Sequence, residues 1–158
     1  MAVAEQRVLI IDMDPQGNCS SGLGVDRSPD RLTTYDLLID RKPIYEAIQR
    51  EVHFPLLDVV PATRDLVGAE IELVHAENRG SILKEAIAPV RAEYDFILID
   101  CPPSLGLLTL NTLAASDSAL IPIQCEFYAL EGLTQLLSTI RQVQRGLNRQ
   151  LEIEGVLL

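Results

Sequence analysis

An α/β fold, with a mostly parallel sheet and helices on both faces, is predicted by three observations on this 158-residue chain. Five apolar runs, at residues 7–12, 56–60, 95–100, 118–123 and 152–158, read as strands. Most are continuous rather than alternating, which suits strands covered on both faces. Helically spaced segments fall between them, so strands and helices alternate as in crossover-connected parallel units. Two runs end on aspartate, Val8-Leu9-Ile10-Ile11-Asp12 and Phe96-Ile97-Leu98-Ile99-Asp100. An aspartate at the carboxyl end of a buried parallel strand faces the crevice where open α/β sheets bind ligands.

Each element has its own justification. The first strand runs into Gly17 to Asp30, the least regular stretch, with Gly17, Gly22, Gly24 and Pro29; it is expected as a loop at the ligand edge. After the second strand, Leu66, Val67, Leu73 and Val74 line a short helix, and another covers Ile82 to Ala88 before Pro89. Leu107, Leu108, Leu110 and Leu113 fit a helix after the third strand, with Ser104 just ahead as its N-cap. In residues 128–146, Leu130, Leu133, Leu137, Ile140 and Val143 share one face, while Glu131, Gln135, Ser138, Arg141 and Gln142 occupy others. Arg141 and Arg145 suit the negative end of that helix dipole, and Gly146 is its stop. No repeat, low-complexity tract or linker divides the chain, so residues 1–158 read as one domain.

Composition excludes several classes. With 47% hydrophobic and 23% charged residues the chain can bury a core, so global disorder is excluded. A formal net charge of −10 and a pI near 4.5 oppose binding of DNA phosphates through a large basic face on these residues. No apolar stretch approaches the roughly 18 residues of a membrane span, and no leader pattern opens the chain, so a cytosolic protein is expected. Cys19, Cys101 and Cys125 are odd in number and lack C-x-x-C spacing, which argues for free thiols. The sharper alternative is that they meet at one crevice and bind a metal or iron–sulfur cluster. His53 and His75 are assigned no chemistry.

Four blocks carry a family resemblance. Asp12-Met13-Asp14-Pro15-Gln16-Gly17-Asn18, Leu57 to Leu66 with Pro61-Ala62-Thr63, Ile99-Asp100-Cys101-Pro102-Pro103-Ser104, and Gln124 to Leu133 closely resemble the ParA/Soj-type chromosome-partitioning ATPases in order and spacing. That family belongs to the deviant Walker A class of P-loop ATPases, so the resemblance implies a P-loop NTPase-like fold with ATP and Mg²⁺. It implies that Asp14 positions or activates the attacking water and that Asp100 supports the Mg²⁺. Hydrolysing a γ-phosphate needs in-line water and neutralised charge, with little covalent work left to protein. Asp12 either assists with metal or water or caps a strand end. Pro102 and Pro103 would hold a loop rigid against the γ-phosphate, and Gly17 with Asn18 would permit the turn that presents Asp14. Glu126 to Gly132 resembles the dimer-facing segment, with Glu126 grouped among the nucleotide-binding residues.

The departure from the family lies at the amino end. Nowhere does the chain contain a loop of the form G-x-x-x-x-G-K-[ST], and it opens on Met1-Ala2-Val3-Ala4-Glu5-Gln6-Arg7, a short way ahead of the first apolar run. In the family, a strand, a K-G-G-x-G-K-[ST]-[ST] loop and a helix come first; the far end here closes on Gly155-Val156-Leu157-Leu158. The expectation is a partial ParA-type ATPase domain, without first strand, P-loop, first helix and C-terminal part. Alone it would be inactive, with exposed strand edges and poor solubility. The complete protein implied is a cytoplasmic, nucleoid-associated homodimer. It would bind DNA nonspecifically, avoid the membrane and answer to a ParB-type centromere-binding protein to segregate chromosomes or plasmids. The alternatives are a degenerate, non-catalytic interaction module and a related ATPase with another cargo, such as a MinD-type division regulator or an iron–sulfur carrier. Their markers, a C-terminal amphipathic helix and a C-x-x-C pair, do not occur in these residues.

Overall fold

A computed structural model describes residues 1–123 and 129–157. Along the chain lie β1 (Val8–Asp12), α1 (Asn18–Gly22), α2 (Thr34–Leu38), α3 (Ile44–Ala47), β2 (Leu57–Val60), α4 (Leu66–Glu72) and α5 (Ile82–Ile87). They are followed by β3 (Phe96–Asp100), α6 (Leu107–Ala115), β4 (Ser118–Pro122), α7 (Ala129–Gly146) and β5 (Glu152–Leu157). All five predicted strands form within a residue or two of their expected bounds, most of them on continuous runs of β-branched residues and leucine. Three short helices, α1 to α3, were not expected.

Strand β1 sits at the centre of a parallel sheet ordered β2-β1-β3. Its register sets Ile11 beside Val60 on one side and Ile99 on the other, and sets Asp12 beside Asp100. Leu9 and Ile11 have no exposed surface, and with Met13, Leu37, Leu38, Val60, Leu66, Leu73, Ile82, Leu83 and Leu108 they build the larger core. Full burial of each such side chain contributes about 1.5–3 kcal/mol. A smaller core gathers Leu113, Ile121, Ile140, Val143 and Leu151 around α7 and the parallel pair β4-β5. Helix α6 serves both cores, with Leu108 in the first and Leu113 in the second.

The single sheet read from the sequence is thus divided, since β3 and β4 share no hydrogen-bonded ladder among the described residues. The strands beside that division are less covered than their apolar runs predict. Phe96 and Leu98 on β3, Leu120 on β4, and Ile153, Val156 and Leu157 on β5 are all 42–60% exposed. A strand with a partner on one side only leaves backbone groups and apolar side chains open.

Two local expectations need correction. Leu66 and Leu73 point into the core, but Val67 and Val74 face solvent, because the buried stripe runs through Leu66 and Ala69 of α4 and on to Leu73 in the turn after it. Ser104 does not cap α6. Gly106 occupies the cap position in extended backbone, and the Glu70 carboxylate accepts the Leu107 and Leu108 N–H groups at 2.9 and 3.1 Å. A carboxylate from another helix thereby satisfies the free amides of the first turn. For α2 the signal was in the sequence: Thr33 and Asp36 form a capping box, with the Thr33 N–H donated to Asp36 Oδ2 at 2.7 Å.

At the amino ends of the strands, Asp58 on β2 accepts bonds from Arg50 Nη1 at 2.9 Å and the Tyr94 hydroxyl at 2.7 Å. These groups, with Arg7, Glu51, Leu56 and Glu93, line a cleft of about 290 Å³. The cluster closes the end of the sheet opposite the two aspartate loops.

The open edges generate a prediction. The isolated chain will self-associate, with a concentration-dependent mass above 17.4 kDa in sedimentation velocity. A monomer with a sharp, reversible two-state melt would contradict this.

Candidate functional site

Parallel pairing brings the two aspartate-ending strands to one rim. Asp12 and Asp100 are register partners, and the Met13 N–H donates to the Asp100 carbonyl at 2.7 Å, so the pairing continues one step past the strands. Asp14 stands two residues beyond Asp12 on the same rim.

The loop after β1 is built by its own side chains. The Asp14 carbonyl accepts the Gly17 N–H at 2.8 Å, and Asp14 Oδ1 accepts the Gln16 N–H at 2.9 Å, an Asx turn over Pro15. Gly17 has φ +62°, and a Cβ there would come within 3.2 Å of the Ala62 carbonyl oxygen and 2.8 Å of Arg27 Nη1. Glycine is therefore required twice, by the left-handed backbone and by the close approach of the loop after β2. Asn18 opens α1, a short helix where an irregular loop is expected from the sequence.

Asp12 has no exposed surface. Its Oδ1 accepts the Asp14 N–H at 3.0 Å, and its Oδ2 accepts the Ser20 N–H at 2.8 Å and the Ser20 hydroxyl at 2.6 Å. Both carboxylate oxygens are thus engaged by protein donors. A buried carboxylate is tolerated here because it is multiply hydrogen-bonded.

Asp100 is the contrasting case. It is exposed, and its carboxylate makes no hydrogen bond to a described residue. Partial burial, then the neighbouring Asp12 and Asp14, push its carboxyl above the ordinary carboxylate range. Clustered negative charge with free oxygen donors fits a hard divalent cation. Among the described residues no three His, Cys, Asp or Glu side chains converge on one metal-sized point. Such an ion would thus take most of its ligands from water and phosphate oxygens, as Mg²⁺ commonly does.

Pro102 is buried and Pro103 exposed in the loop after β3. The Thr109 hydroxyl, on α6, donates to the carbonyls of Pro102 and Ser104, tying that loop to the helix behind it. Cys19 and Cys101 are free and half-buried, and burial together with nearby aspartates pushes both thiols up to about 11. Cluster-ligating thiolates are disfavoured in this acidic setting. Cys125 and Glu126, with the rest of residues 124–128, lie outside the described residues. His53 makes a 2.6 Å bond with the Leu23 carbonyl, and among the described residues it belongs to no group of metal-ligating side chains. Sequence reading missed Ser20 and Glu70; neither carries a motif of its own, and only folding reveals what each touches.

Two predictions test these electrostatics. A carboxyl with a raised folded-state pKa contributes stability that is complete below its unfolded value near 3.8 and lost as pH rises through the folded value. Asp100→Asn should therefore raise the melting temperature at pH 7, with the gain vanishing as pH falls below about 4; a gain independent of pH would refute the assignment. Cys19 and Cys101 should be alkylated by iodoacetamide at pH 8 on the order of a hundredfold slower than an unperturbed thiol, followed residue by residue by mass spectrometry. Rapid labelling of either would show its thiol to be unperturbed.

Comparison with known proteins places this geometry in a family. The family model for an AAA domain matches residues 1–153. The chromosome partitioning protein ParA of Myxococcus xanthus is 56% identical over 158 residues, covering all of this chain and 56% of that protein. The sporulation initiation inhibitor protein Soj of Bacillus subtilis is 54% identical over the same length, 62% of its own. The chain thus spans somewhat over half the length of these curated relatives. Among solved structures, a protein described as cobyrinic acid a,c-diamide synthase from Mycobacterium smegmatis, with bound ATP analog and magnesium, superposes with a TM-score of 0.90 at 38% identity. That match covers 99% of this chain and 64% of the other. That description names a different reaction, but the higher identity across the whole chain is to the partition proteins. With its parallel P-loop-type fold and its aspartate rim, the chain belongs to the ParA/Soj family of partitioning ATPases, of which it spans a part.

Proposed function

We propose that this chain supplies the water-positioning and metal-supporting half of an ATP-hydrolysing site in a partition ATPase. The observation that supports it best is the pairing of Asp12 with Asp100, which sets Asp14 and Asp100 on one rim beside clustered negative charge. Asp14 orients the attacking water toward the γ-phosphate, its own place fixed by the Asx turn and the Gly17 bend. Asp100, whose carboxylate accepts no hydrogen bond from a described residue, holds Mg²⁺ directly or through water. When bound, that ion neutralises the triphosphate charge. Asp12 keeps the loop in shape, and Pro102 and Pro103 limit the freedom of the segment facing the phosphates. The phosphate cradle and its lysines are not among residues 1–158, and they complete the site from elsewhere.

In its whole form the protein cycles through an ATP-bound homodimer on nonspecific DNA and hydrolyses ATP when stimulated by a ParB-type centromere-binding protein, moving chromosomes or plasmids. The relatives' names, which speak of chromosome partitioning, support the partitioning part of this reading. DNA contacts fall to residues beyond these, since the acidic balance here repels phosphates.

The test adds the upstream strand, phosphate loop and helix of the Bacillus subtilis relative ahead of Met1 and measures ATP turnover. The joined chain should show Mg²⁺-dependent hydrolysis, and Asp14→Ala should lower it by about 10²-fold, the size expected of a positioned acid–base group. Equal turnover in the two would remove Asp14 from the mechanism.

A further inference from the structure

Ser20 is fully buried on α1, and its hydroxyl is used in both directions. It donates to Asp12 Oδ2 at 2.6 Å and accepts the Ala62 N–H at 3.0 Å. Ala62 lies two residues past the end of β2, while Asp12 ends β1, so one hydroxyl joins the ligand-edge loops of two adjacent parallel strands. Gly17 meets the Ala62 carbonyl on the same side, which makes the junction two-pointed. From Ser20 the connection continues inward: Asp12 Oδ2 is held by Ser20, and Asp12 Oδ1 holds the Asp14 N–H at 3.0 Å. Only a small side chain that both donates and accepts can fill this place.

We infer that Ser20 is a positioning residue for the hydrolysis proposed above: through Asp12 it fixes Asp14 relative to the loop after β2, so that the water-orienting carboxylate stands at a set distance from the reacting phosphate. The inference rests on that functional reading and assigns Ser20 no contact with substrate. Removing the hydroxyl strips the buried Asp12 carboxylate of its shortest bond and leaves the Ala62 amide without a partner. Misplacing a catalytic group by a fraction of an ångström acts on turnover more than on substrate binding.

The experiment has two arms. In the 158-residue chain, Ser20→Ala should speed hydrogen exchange in residues 13–22 and 60–64 while leaving β3 and α5 as protected as before; unchanged exchange there would refute the bridge. In the joined, ATP-hydrolysing chain, Ser20→Ala should lower kcat about 10- to 100-fold with KM for ATP changed less than about twofold, and Ser20→Thr should restore kcat. Ser20→Val, matched to threonine in shape but without the hydroxyl, should not restore it, and this pair decides the matter if the alanine variant fails to fold. Normal kcat in Ser20→Val beside an inactive Asp14→Ala overturns the role of Ser20 alone. Full activity in Asp14→Ala overturns the functional reading itself. Loss of protection across the whole chain together with lost activity would make Ser20 merely structural and would also overturn the inference.

Discussion

Everything at the ligand edge depends on the parallel register that holds β1 between β2 and β3. Because parallel strands run the same way, their carboxyl ends share one rim, and whatever follows each strand is delivered to the same crevice. Pairing of Asp12 with Asp100 aligns two aspartate-ended strands to within one strand spacing, and pairing of Ile11 with Val60 brings the Pro61-Ala62 loop alongside. A slip of one residue would turn the apolar set of β1, including fully buried Leu9 and Ile11, toward the wrong face, so core packing and site geometry are enforced by the same contacts.

Within that frame the three acidic side chains have diverged by environment. Asp12 is enclosed and accepts three hydrogen bonds, Asp14 is half-buried and committed on one oxygen, and Asp100 is exposed and accepts no hydrogen bond from a described residue. Burial and mutual repulsion act on the most open of them, and a cation is the natural relief. Burial first, and then the same negative field, raise the thiols of Cys19 and Cys101, so a site suited to oxygen-bound hard ions is unsuited to soft, thiolate-bound ones.

The strands were legible because their apolar runs are long enough to outweigh any competing propensity, and the aspartates were legible because they terminate those runs. Helix α7 showed itself through a spacing sustained from Leu130 to Val143, between three and four turns. The short helices α1, α2 and α3 did not, since four or five residues carry too little periodicity to register, although the Thr33 and Asp36 capping box was there to be read. Ser20 and Glu70 were invisible for a different reason: each acts on backbone or carboxylate groups far away in sequence, Ser20 on Ala62 and Glu70 on Leu107 and Leu108. The reading of β3 as covered on both faces failed because coverage depends on which strands and helices lie beside it, and a residue pattern does not record neighbours.

The central claim is that Asp14 and Asp100 serve one metal-bound triphosphate. Paramagnetic broadening by Mn²⁺ in the presence of ATP, recorded on the joined chain, tests it most directly. Signals of residues 12–17 and 100–103 should broaden together while those lining the Arg50–Asp58 cleft stay sharp. Broadening at that cleft alone, or at only one of the two aspartate loops, would contradict the account.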